Sequence, residues 1–151
     1  MLRWQISHCF LGYRFRVSVL GQSFSEIPEC FDAAKRELED EIINWGYLPD
    51  KDSYWRVLAS AHVAVSTANH EFFGVSMVEA AMSGCFPLVP NRLSYPEIFP
   101  KECIYATDQQ LFKRLRSLCK NLKLAQNLSN VVEKFAKSRL EDQYKRLLSA
   151  E

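Results

Sequence analysis

The stretch Val63-Ala-Val-Ser-Thr-Ala-Asn-His70-Glu-Phe-Phe-Gly74-Val-Ser-Met-Val-Glu79-Ala-Ala-Met-Ser-Gly84-Cys-Phe-Pro-Leu-Val-Pro90 decides the fold. Two short apolar runs, 63–66 and 86–89, read as strands, and the segment between them predicts a helix over 75–83 that stops at Gly84. Strands joined by a helix-bearing crossover are parallel, so the stretch is a βαβ unit. The loop ending at Gly74 then lies at the carboxyl end of the sheet, where open α/β folds bind ligands. A glycine there lets a ligand approach the backbone, and the first N–H groups of the following helix suit an anion such as phosphate.

Two carboxylates frame this loop, Glu71 within it and Glu79 eight positions on in the helix. Glu79 is flanked by Val78, Ala80 and Ala81 in a helix with few polar residues, where a carboxylate without donors is costly to bury. A ribose diol offers two such donors. On the plainer reading, Glu71 sits at the positive end of the helix and Glu79 faces solvent. Spacing alone favours the plainer reading, because carboxylates are common on helix surfaces.

The run from Glu71 through Gly74 and Glu79 to Gly84 resembles the E-x7-E signature of retaining, nucleotide-sugar-dependent glycosyltransferases of the GT-B fold. His70-Glu-Phe-Phe-Gly74 through Tyr95-Pro-Glu-Ile-Phe-Pro100, with Phe15-Arg-Val-Ser-Val-Leu-Gly21 and Asn44-Trp-Gly-Tyr-Leu-Pro49, resembles more closely the branch that mannosylates queuosine in tRNA. The resemblance covers about residues 15–118 and implies an α/β fold, a Rossmann-like parallel sheet with helices on both faces. It implies a GDP-mannose donor, a tRNA partner and chemistry that needs neither a cofactor nor a metal. Glu71 takes the catalytic position and holds donor-sugar hydroxyls, and Glu79 holds the ribose. His70, Phe73, Gly74 and Val75 complete the donor site, with backbone groups of Gly46, Tyr47 and Leu48 reading the purine edge.

In such enzymes the reaction takes place between two Rossmann-like lobes, and 151 residues suffice for one. The expected organisation is an irregular segment 1–13, a nucleotide-sugar-binding domain 14–127, and a terminal helix within 128–151 that braces the other lobe. The family also grips the diphosphate with an arginine and a lysine on the first loop of the donor lobe. No such pair is found here, since Arg3, Arg14 and Arg16 fit poorly on spacing, and the chain is expected to begin after that loop. Weak donor binding, rather than catalysis by this chain alone, is the resulting expectation.

Composition is that of an ordinary globular protein, 48% hydrophobic and 25% charged, without a long apolar span or signal-peptide core. The expectations are no membrane association and a cytoplasmic or nuclear location. Five cysteines without a C-x-x-C pair indicate neither a disulfide framework nor a zinc site. Charge is uneven: ten acids face four bases over 22–71, and ten bases face five acids over 108–151. The basic third suits an RNA backbone, though charged helix faces are commonly just solvated.

Elsewhere the pattern predicts a strand from Phe15 to Leu20, a helix opened by Pro28 with Phe31, Ala34 and Leu38 inward, and a strand and glycine turn over 42–49. Asp50, Asp52 and Ser53 start a helix; Tyr95-Pro-Glu-Ile is a loop on the ligand side; 104–106 is a short strand; Thr107 to Gln110 is a capping box. Trp45 and Tyr47 are expected either in the core or at the base pocket. Three functions remain open: a donor lobe of a mannosyltransferase, a catalytically inactive nucleotide-sugar-binding or interaction module, and an unrelated Rossmann-type binder. The last is disfavoured because no G-x-G-x-x-G follows the first strand.

Overall fold

The structure, a computed structural model, describes residues 13–21, 29–70, 73–121, 123, 124 and 126. The irregular segment 1–12, the loop 22–25 with Pro28, Glu71, and the terminal helix with most of the basic third lie outside the described residues.

The chain alternates strands and helices: β1 (Val17–Leu20), α1 (Glu29–Glu37), β2 (Ile42–Gly46), α2 (Lys51–Ser60), β3 (Val63–Val65), α3 (Val75–Met82), β4 (Phe86–Pro90), α4 (Tyr95–Ile98), a 3-10 turn (Lys101–Cys103), β5 (Ile104–Tyr105) and α5 (Asp108–Lys120). Every strand pairing is parallel. The architecture is α/β, as the alternation predicts. The pairings form two sheets, a two-stranded β1-β2 and a three-stranded β3-β4-β5 with β4 central.

The central strand is buried along its whole length, Phe86-Pro-Leu-Val-Pro90. Proline is unusual in a central strand because it cannot donate to the ladder. Backbone groups alternate sides along a strand, and Phe86 N–H and Leu88 C=O face β3, bonding His62 O and Ser66 N. The missing N–H of Pro87 therefore faces β5, whose pairing starts only at Val89. Around β4 lies the main core: Met77, Val78 and Ala81 from α3, Tyr95 and Phe99, Cys103, Tyr105, and Leu111 and Leu118 from α5.

Four expectations need correction. On α1 the buried residue is Ala33, whereas Phe31 is 44% exposed and meets the edge of Trp45 at 6.4 Å between ring centroids. Tyr47 is 73% exposed, so core packing does not account for it. Residues 95–98 form a helical turn with Pro96 in its first turn, where a missing N–H is harmless, and Tyr95 is buried. Gln110, finally, donates its N–H to Thr107 Oγ1 at 3.2 Å, but its side chain accepts from Ala106 N rather than from the cap residue.

Candidate functional site

The site is the carboxyl end of β3 and the start of α3. Gly74 caps the helix with φ 75° and ψ 36°, a left-handed conformation, and without a side-chain cap bond. Its carbonyl accepts from Met77 N at 3.0 Å and Val78 N at 3.1 Å. The N–H groups of Val75 and Ser76 have no intrahelical acceptor, as at any helix start. Val75 and Phe73 flank them, 55% and 46% exposed.

The sequence suggests that Gly74 admits a ligand; the geometry adds a requirement from the other side. A Cβ on Gly74 would lie 2.5 Å from the ring of Tyr95, which is 1% exposed and cannot retreat. Tyr95 is in turn held from below. Its hydroxyl is 2.9 Å from Ser66 Oγ, Ser66 Oγ accepts from Ala68 N at 3.3 Å, and Tyr105 Oη donates to Ser66 O at 2.7 Å. Two buried tyrosines thus tie the residue after β3 to the floor of the site.

Glu79 lies one turn into α3, four residues after Val75, and a helical side chain leans toward the helix N-terminus. The solvent-facing alternative does not describe it: the side chain is half-buried, and Oε2 accepts a hydrogen bond from Tyr54 Oη of α2 at 2.9 Å. Burial, and then the adjoining carboxylate, push the Tyr54 hydroxyl up to about 12, so it is a neutral donor at physiological pH. No described residue donates to Oε1.

Of the other expected residues, His70 is exposed at the end of the 66–70 segment. Gly46 ends β2, in the two-stranded sheet, and Tyr47 and Leu48 follow it. Gly46 has φ 106° and accepts from Gly21 N at 3.2 Å. No hydrogen bond between described residues joins them to residues 73–79. Arg16 is engaged elsewhere, donating to Asp40 O at 3.0 Å. Tyr54, Ser66 and Tyr95 were not singled out from the sequence as site residues. The spacing of Tyr54 and Leu58 on one helix face signals burial but not a partner.

A sequence model of the family described as "Glycosyl transferases group 1" matches residues 10–135. The chain belongs to this family. Over 106 residues, 70% of this chain, it is 44% identical to the tRNA-queuosine alpha-mannosyltransferase of Drosophila melanogaster. The chain spans 28% of the length of that relative. Among solved structures, sucrose-phosphate synthase from Thermosynechococcus elongatus superposes with a TM-score of 0.66 at 14% identity, over 99% of this chain and 42% of that one. The Anabaena protein HepE, solved in complex with UDP, gives 0.68 at 13% identity, over 99% of this chain and 45% of that one. These likenesses show an α/β fold shared with part of the GT-B glycosyltransferases. No helix among the described residues is long and apolar enough to cross a membrane.

Proposed function

We propose that residues 14–127 are the donor-binding lobe of a retaining mannosyltransferase that takes GDP-mannose and modifies queuosine in tRNA. Family membership supports the reaction class, and the Drosophila relative, at 44% identity, supports this choice of donor and acceptor. The observation that carries the reading is the start of α3, where a left-handed glycine without a capping side chain leaves N–H groups at the carboxyl end of a parallel strand. A diphosphate seated there meets the positive end of the helix. Its charge grows as the bond from the sugar's anomeric carbon to the diphosphate oxygen breaks and the diphosphate departs, which is where preorganised donors help most. Glu71 holds hydroxyls of the donor sugar and Glu79 those of the ribose. His70, Phe73 and Val75 border the sugar and diphosphate, and the backbone of Gly46, Tyr47 and Leu48 meets the base. The scheme uses no metal ion.

Calorimetric titration with GDP and GDP-mannose tests it. Glu79→Ala is expected to weaken both by about tenfold or more, the effect of removing a charge-assisted hydrogen bond. Unchanged affinity would overturn the ribose assignment. A second reading, nucleotide-sugar binding without transfer, is favoured by Arg16, whose guanidinium is committed to a carbonyl of its own sheet's connection. Saturable transfer of mannose to queuosine-containing tRNA by this chain would exclude it.

A further inference from the structure

We propose that Tyr54 is a positioning residue for Glu79, and that through it the site discriminates ligands by their ribose hydroxyls; this rests on the assignment of Glu79 to the ribose. A glutamate has three rotatable bonds and does not hold one orientation unaided. Tyr54 supplies the restraint. Its ring packs with Trp55 against Leu58, Ala80 and Cys85, a small buried cluster that ties α2 to α3. From that anchored position its hydroxyl reaches Glu79 Oε2 at 2.9 Å. A carboxylate only accepts, so Tyr54 is the donor and its own oxygen lone pairs remain usable.

The division between the two carboxylate oxygens sets the specificity. Oε2 is committed to Tyr54, whereas Oε1 accepts from no described residue and is the oxygen a ligand hydroxyl can take. A vicinal diol can place one hydroxyl on Oε1 and the other on Oε2 or the phenol oxygen. Without the phenol donor, Glu79 regains its rotamers and must be ordered again by each ligand that binds, which weakens selection for the diol.

The test compares GDP with 2′,3′-dideoxy-GDP by calorimetry, on this chain and on Tyr54→Phe, which keeps the ring and its packing. This chain is expected to favour GDP by about tenfold, the equivalent of one good hydrogen bond. In Tyr54→Phe the preference is expected to fall to about twofold, because the restraint on Glu79 is gone, with dideoxy-GDP binding little changed. An undiminished preference in Tyr54→Phe overturns the proposal while leaving the ribose assignment standing. Equal weakening of both ligands also overturns it, since that is what a packing role would do. If the unsubstituted chain binds both nucleotides equally, the ribose assignment fails and this proposal falls with it.

Discussion

Gly74 is constrained twice at one atom, by a positive φ and by the Tyr95 ring where its Cβ would be. Gly74→Ala is therefore expected to destabilise the fold by about 2 kcal/mol, read as a lower urea midpoint. An unmoved midpoint would mean the ring is free to shift. Tyr95→Phe removes only the hydroxyl facing Ser66 and is expected to lose about 1 kcal/mol in the same measurement. The thiols give a pH test. Burial pushes Cys85 up to about 11 and Cys103 up to about 12. A thiol raised above its unfolded value of 9.0 contributes stability that is complete below that value and lost as pH rises through the folded one. Stability is thus expected to fall between pH 9.0 and about 11 to 12. At neutral pH, iodoacetamide mapping should leave both cysteines unlabelled until the chain unfolds. The sequence places these cysteines in no disulfide or zinc pattern, and in the fold both are free and buried.

At the scale of the element, helix starts were the most legible feature. Asp50 caps α2 through Ser53 N at 2.6 Å, and Thr107 caps α5 through Gln110 N at 3.2 Å, both at residues the sequence pattern marks. Capping is local chemistry, so local sequence carries it. The bonds from Ser53 hold the Asp50 carboxyl below its ordinary 3.8; its contribution is present above that value and lost as pH falls through the depressed one. Thr107→Ala is expected to destabilise by about 1 kcal/mol, seen in the thermal transition. The inward face of α1 was less legible, because a nine-residue helix with a scattered apolar set leaves room for more than one stripe. The four-residue α4 was not legible at all. One turn is too short to display a period, and its buried Tyr95 packs against Gly74, far away in the sequence.

Across the whole molecule, stability is concentrated around β4. Leu88 and Val89 are fully buried, whereas β1 and β2 carry no buried residue, and Ile43 is 61% exposed. Hydrogen exchange is expected to be slowest at Leu88 and Val89 and faster throughout the β1-β2 pair, since local opening follows buried apolar contact. Equal protection of the two sheets would contradict this uneven core. The alternation of short apolar runs with helices, the caps, and the glycine opening α3 belong to the sequence alone, because each depends on residues within a few positions of one another. That is enough for an α/β fold and for placing the loop after β3, proposed here as the donor site, at the carboxyl end of a parallel strand. The partner of Glu79 lies 25 residues earlier in the chain, and that of Ser66 lies 29 residues later. Hydrogen bonds across such separations are set by how α2, α3 and α4 pack on the sheet, and no periodicity encodes them. Tertiary packing alone decided that Glu79 is a half-buried, tyrosine-held acceptor rather than a solvated surface charge.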